Sequence, residues 1–242
     1  MGEGIFYGIG VGPGDPDLLT LKAVKVLKRV NVVFVPQTSS EKESKASLIA
    51  GEYLEKGTPL IPLIFPMTKN KEVLSRCWGD AVEQVKAYLD KDKSAAFLTL
   101  GDPMLYSTYI YLFKRIKKEG YIVETVPGVP SFCAAAASAG VPLAEGDEKM
   151  ALIPWSSKEN QVQPLLSSVD SAVLMKVSSD FSGVLKELEK TGLLDNSVMI
   201  SKCGHEDEEL YRLPLDPREQ GEKNVSYFSL ILARKKGEGN DE

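Results

Sequence analysis

Three apolar runs in the first half of this 242-residue chain stop abruptly at glycine-bearing turns, and a helical pattern follows each one. Residues 4–11 (GIFYGIGV) run into Gly12-Pro13-Gly14-Asp15-Pro16, residues 94–100 (SAAFLTL) into Gly101-Asp102-Pro103, and residues 121–126 into Pro127-Gly128-Val129-Pro130. Short runs without polar alternation read as strands buried on both faces, which occur where helices cover a parallel sheet. In such sheets ligands bind outside the carboxyl ends of the strands. The glycine turns therefore fall where a binding site is expected.

The alternation continues along the chain. Residues 18–30 carry Leu19, Ala23, Val26, Leu27 and Val30 at helical spacing, with Asp15, Asp17 or Thr20 as the N-cap. Residues 31–35 predict a strand closed by Pro36, residues 44–55 a helix, residues 60–65 a proline-interrupted strand and residues 70–89 a long amphipathic helix. A further helix is expected over 105–118, ended by Gly120. After the small-residue helix SFCAAAASAG a second alternation begins at Met150. It reads as strand MALIPW, a helix near 158–166, strand AVLMKV, a helix over 181–191, strand SVMISK and the paired runs ELYRLPL and YFSLILARKK. The expectation is two α/β domains with the active site in the cleft between them. Residues 1–127 would hold a mostly parallel sheet with right-handed crossovers, and residues 128–242 a mixed sheet, with PGVPS as the hinge.

Composition narrows the function. Hydrophobic residues make up 43% and charged residues 26%, the balance of a soluble globular chain. A net charge of −5 argues against a nucleic-acid partner, which would ask for a basic face. No apolar run approaches the roughly 20 residues of a membrane helix, and no basic stretch precedes the first strand, so neither a membrane span nor a signal peptide is expected. Cys77, Cys133 and Cys203 have no CxxC spacing, which points to neither a disulfide framework nor a zinc site and fits a reducing cytoplasm. His205 is the sole histidine, so a His-based metal cluster is excluded and no metal site is expected.

Each motif has a bland reading beside a functional one. The run from Gly8 to Pro16 has the pattern GxGxGxGDP, which fits no GxGxxG register and lacks the Gly-Lys-Ser/Thr of a P-loop. It is either a tight strand-to-helix turn or a non-Rossmann binding loop. Asp102 is either an N-cap or an acceptor for a ligand's hydroxyl or amine. Two Gly-Asp-Pro turns after two strands of one sheet favour a shared pocket. The alanines after Pro127-Gly-Val-Pro-Ser-Phe132 serve close packing or close approach of a ligand. His205, beside four acids in SKCGHEDEEL, reads as part of a solvated charged loop, and Cys133 as a packing residue. Lys176, closing AVLMKV, is either an anion contact or a surface lysine. No GxSxG elbow supports a hydrolase triad.

Taken in order, Gly10-Val-Gly-Pro-Gly-Asp-Pro16, Leu18-Leu-Thr-Leu-Lys-Ala23, Gly101-Asp102-Pro103, Pro127-Gly128-Val129 and Ser138-Ala-Gly-Val-Pro-Leu143 resemble the tetrapyrrole methylase family. The likeness is carried most strongly by the first 145 or so residues. The runs GDPMLYSTYIYL, PGVPSF and VLMKV are most similar to the branch acting on precorrin-type intermediates of cobalamin biosynthesis. Met104-Leu-Tyr-Ser-Thr108 stands where uroporphyrinogen methyltransferases carry a glycine- and arginine-rich run. The resemblance implies S-adenosylmethionine as cofactor, with S-adenosylhomocysteine as product, and a cytoplasmic homodimer acting on a tetrapyrrole. It implies that Pro13 lines the cofactor pocket, and that Gly101, Asp102 and Pro103 hold the methionine and ribose part, with Met104 and Tyr106 on the same loop. Ser131 and Phe132 would touch the cofactor, and Lys176 or Met175, with Ser229 or Leu230, would flank the adenine. The candidates for receiving the proton lost from the methylated carbon are Asp15, Tyr106 and Asp102. Lys22, Lys45, Arg76, Arg115 and Lys176 are possible partners for substrate carboxylates. Other methylases of the fold, and a non-catalytic cofactor-binding module, remain as alternatives.

Overall fold

The structure is a computed structural model that describes residues 4–39, 44–155, 162–215 and 225–235. The chain divides into two compact units, Met1–Pro130 and Ser131–Glu242.

The first unit is an all-parallel sheet of β1 (Ile5–Gly10), β2 (Val32–Gln37), β3 (Leu60–Ile64), β4 (Ala95–Thr99) and β5 (Ile122–Val126), in the order β3-β2-β4-β1-β5. The crossovers that step towards β3 carry α1 (Leu21–Leu27) and α2 (Lys45–Ala50). Those that step towards β5 carry α3 (Lys71–Leu89) and α4 (Tyr109–Lys118). Alternate strand residues serve the two layers. Tyr7, Ile9, Val33, Val35, Ala96 and Leu98 pack with α1 and α2, while Phe6, Val32, Phe34, Ala95 and Phe97 pack with α3 and α4. Both faces are dry, which is why these strands read as continuous apolar runs. The order of connection reverses between the parallel neighbours β4 and β1, so the turns that follow them leave towards opposite layers, the arrangement that opens a crevice at the carboxyl edge of such a sheet.

The second unit is a mixed sheet of β6 (Met150–Pro154), β7 (Ser171–Met175), β8 (Ser197–Ser201), β9 (Glu209–Arg212) and β10 (Ser229–Arg234), in the order β6-β7-β10-β8-β9. Among the described residues only β6 and β7 pair in parallel. One face packs on α6 (Val162–Ser167) and α7 (Phe181–Lys190), through Leu166, Val184 and Leu188. The other packs on α5 (Ser131–Ala139), through Ala135 and Ala136.

Several boundaries differ from the sequence reading for local reasons. The helix expected from residue 105 starts at Tyr109, because residues 102–108 form a loop in which Tyr106 takes φ 47°. Helix α1 starts at Leu21, capped by the Thr20 hydroxyl accepting from the Ala23 N–H at 3.2 Å, and Asp15 caps a separate 3-10 turn over Pro16–Leu18. Pro36 does not close β2, which continues to Gln37. Its ladder to β4 is defined only as far as Phe34, beyond which the missing N–H costs nothing on that side. Pro62 is tolerated because β3 is an edge strand. Of the helix expected near 158–166, the part before residue 162 lies outside the described residues.

Candidate functional site

The carboxyl edge of the first sheet is built on glycine contacts that no side chain could share. Gly8 faces the ring of fully buried Tyr109, and a Cβ there would lie 2.1 Å from a ring carbon. The Tyr109 hydroxyl meets Thr125 Oγ1 at 2.8 Å. Burial pushes this phenol's pKa up, against hydrogen bonds from Thr125 and the Gly8 backbone that lower it. One turn further on, the ends of β1, β4 and β5 interlock. A Cβ on Gly10 would lie 2.5 Å from Gly128 N and 2.6 Å from Gly101 O, and one on Gly128 would lie 2.2 Å from Gly101 O. Gly12 and Gly101, at φ 77° and 72°, form an isolated bridge in which the Gly101 N–H donates to Gly12 O at 2.8 Å. The two Gly-Asp-Pro turns are thus clipped together through main chain.

Asp102 ties this junction. Its Oδ1 accepts from the Met104 N–H at 2.8 Å and its Oδ2 from the Gly128 N–H at 3.0 Å. The residue expected to receive a ligand's hydrogen bonds therefore first holds the loop after β4 to the loop after β5. A carboxylate offers about four lone-pair sites, so capacity for a ligand donor is left. Pro103 is buried, and its carbonyl accepts from the Ser107 hydroxyl. Met104 and Tyr106 stand out from the loop, 52% and 49% exposed. Pro13 is buried beside Gly12, and Asp15 Oδ1 accepts from the Asp17 N–H at 2.8 Å. Thr20 also donates to Pro127 O at 3.4 Å, which brings the start of α1 to the same rim. The structure thus gathers Pro13, Asp15, Gly101, Asp102, Pro103, Met104 and Tyr106 at one edge of the first unit.

The remaining candidates belong to the second unit. Ser131 opens α5, and Phe132 packs on the cluster containing Val173, Ile200 and Leu230. Ser229 is buried and donates to Ser201 Oγ at 3.1 Å. Leu230 is paired with Met175, so Ser229 lies next to the exposed Lys176, which takes φ 60° as β7 ends. The structure thus brings Lys176, Met175, Ser229 and Leu230 to one edge of the second sheet. Of the cations considered for substrate arms, Arg115 is engaged by Ser75 O and Oγ at 3.2 and 3.1 Å and lies over the Trp78 ring, and Lys22 is 3.8 Å from Glu124.

His205 lies in the turn between β8 and β9, where Lys202 pairs with Asp207 at 2.6 Å and Glu208 receives the Gly204 N–H at 2.6 Å and the Ser138 hydroxyl. Among the described residues no group of three or more His, Cys, Asp and Glu could hold a metal ion, and no helix is long and apolar enough to cross a membrane.

One feature of this rim escaped the sequence. The hydroxyl of Thr99, a residue only 7% exposed at the end of β4, has no hydrogen-bond partner among the described residues, nor has Oε1 of Gln37 at the end of β2. Nothing in SAAFLTL marks Thr99 apart from any strand-forming β-branched residue.

Comparison with known proteins bears on this geometry. The family model for tetrapyrrole (corrin/porphyrin) methylases matches residues 6–217. The probable cobalt-precorrin-2 C(20)-methyltransferase of Methanocaldococcus jannaschii is 36% identical over 95% of this chain and 95% of its own length. The cobalt-precorrin-2 C(20)-methyltransferase of Salmonella typhimurium is 33% identical over 98% of each. Among solved structures, the cobalt precorrin-4 methyltransferase CbiF superposes with a TM-score of 0.76 at 26% identity, over 95% of this chain and 94% of that one.

Proposed function

This chain belongs to the tetrapyrrole (corrin/porphyrin) methylase family, and we propose that it transfers a methyl group from S-adenosylmethionine to C20 of a precorrin-2-type tetrapyrrole in cobalamin biosynthesis. The observation that carries the substrate assignment is full-length similarity to two C20-methyltransferases, at 36% and 33% identity. Both act, by their names, on the cobalt-bearing form, which is the acceptor proposed here. The Met104–Thr108 sequence, standing where uroporphyrinogen enzymes are glycine- and arginine-rich, favours the same branch.

The residues present fit the cofactor. Glycine turns at the carboxyl edge of the first sheet bring the loops after β1, β4 and β5 together, and Thr99 Oγ1 and Gln37 Oε1 are acceptors without partners among the described residues, suited to a ligand rich in ammonium and hydroxyl donors. When bound, S-adenosylmethionine supplies a methyl group on a positive sulfur that needs no further activation. The chain's task is then alignment, which can account for several kcal/mol of the barrier. Pro13 and Gly101-Asp102-Pro103 hold the methionine and ribose part, Met104 and Tyr106 wall the loop side, and Ser131 and Phe132 contribute from α5. Lys176 and Ser229 flank the adenine.

The C20 proton must leave once the methyl has arrived. Asp15 commits one carboxylate oxygen to Asp17, leaving lone pairs on the other to receive it, and Tyr106 is the second candidate. The functional enzyme is proposed to be a homodimer. Purified protein incubated anaerobically with S-adenosylmethionine and cobalt-precorrin-2 should yield an acceptor heavier by one methyl group. Methylation of uroporphyrinogen III alone would keep the family and overturn the substrate.

A further inference from the structure

Buried polar side chains are nearly always hydrogen-bonded, and one that is not calls for an explanation. Thr99 is more than nine-tenths buried, yet its hydroxyl has no partner among the described residues. Its position is specific. It is the last residue of β4, directly before Leu100 and the Gly101-Asp102-Pro103 loop, and it pairs in register with Gly10 of β1. Gly10 presents no side chain that might satisfy the hydroxyl, and Gly101 and Gly128 approach it through backbone alone. Thr99 O is already taken by the Val11 N–H at 2.9 Å. The neighbouring strand β2 ends in Gln37, whose Oε1 is likewise buried without a partner. The two lie on opposite faces of the sheet by strand alternation, so the orphaned oxygens flank the rim from both sides.

We propose that Thr99 is a ligand-contacting residue of the methyl-transfer site, its hydroxyl accepting a hydrogen bond from an N–H or O–H group of the bound small molecule, with Gln37 as a flanking acceptor. The assignment rests on the functional reading above and deepens it. The donor comes from the cofactor, which carries an ammonium, ribose hydroxyls and an amine; the ring nitrogens of a cobalt-bearing tetrapyrrole are taken by the metal and have no N–H to give. Carboxylate arms offer no donor when ionised and are not what this pair of oxygens suits.

The test is Thr99→Val, which keeps shape and removes the hydroxyl. Losing an unsatisfied buried hydroxyl should leave the ligand-free melting temperature unchanged or raised. Calorimetry with S-adenosylhomocysteine should show binding weakened by roughly tenfold, the loss of one hydrogen bond. Thr99→Ser should restore the affinity, because it returns the hydroxyl. A Thr99→Val protein that matches wild type in affinity overturns the inference. So does one that melts lower with ligand binding intact, which would give the hydroxyl to the fold. Failure of the wild-type protein to bind S-adenosylhomocysteine is a separate result: it removes the functional reading and the inference with it.

Discussion

The two sheets end their strands in different ways. In the first, β1, β4 and β5 close on Gly10, Gly101 and Gly128, so tightly that a single Cβ would strike backbone at 2.2–2.6 Å. In the second, the matching edge is finished by side chains: Ser229 donates to Ser201, and Cys203 is buried beside Glu208. A glycine junction packs buried main chain directly on main chain, at the cost of tolerating no substitution. A side-chain junction covers its main chain and yields more gently when changed. The partnerless Thr99 and Gln37 oxygens among the described residues lie at the first edge, which makes it the better place to receive a ligand, and the family's glycine motifs fall there.

The contrast can be broken most severely at Gly128. Gly128→Ala should destabilise the protein by about 4 kcal/mol, since the new methyl meets main chain that cannot rotate away. At roughly 2–4 °C per kcal/mol for a chain of this size, calorimetry should show a melting temperature lower by about 10 °C. A fall of only a degree or two would mean the junction is loose. Asp102→Ala comes next. It removes the acceptor of two backbone N–H groups and should cost about 2 kcal/mol, and cofactor affinity should fall at least tenfold as the two loops part. Asp102→Asn should recover part of both, because it keeps an acceptor for one of the two donors. Affinity lost without any stability change would make Asp102 a direct ligand contact and nothing more.

The smallest effect belongs to the second sheet and shows in pH. Burial, with the charge and hydrogen bond of Glu208, pushes the Cys203 thiol up to about 12 from a usual value of 9.0. The folded chain thus keeps a proton that the unfolded chain gives up. This contribution is complete below pH 9 and is lost as pH rises from about 9 to about 12. Cys203→Ala should flatten that alkaline limb in urea titrations. An unchanged limb would place the thiol in a more polar setting.

Much of this was legible in the sequence. The parallel sheet followed from apolar runs without alternation, and the site edge followed from glycine-rich turns at the run ends. The start of α4 was not legible, because Tyr106 at φ 47° is a choice made by the loop and Leu105 looks helical by pattern alone. The part of Asp102 in holding Gly128 was also hidden, since 26 residues separate them and only sheet order brings them together. Thr99 was invisible for a third reason. An orphaned hydroxyl is a statement about what does not surround it, and sequence carries no such signal.

The central claim concerns a single carbon. The most direct measurement is to supply S-adenosylmethionine with a 13C-labelled methyl group, offer cobalt-precorrin-2, precorrin-2 and uroporphyrinogen III separately, and locate the label by NMR. One labelled methyl on C20 of cobalt-precorrin-2 is the predicted result. A label on any other carbon, or on uroporphyrinogen III alone, would contradict it.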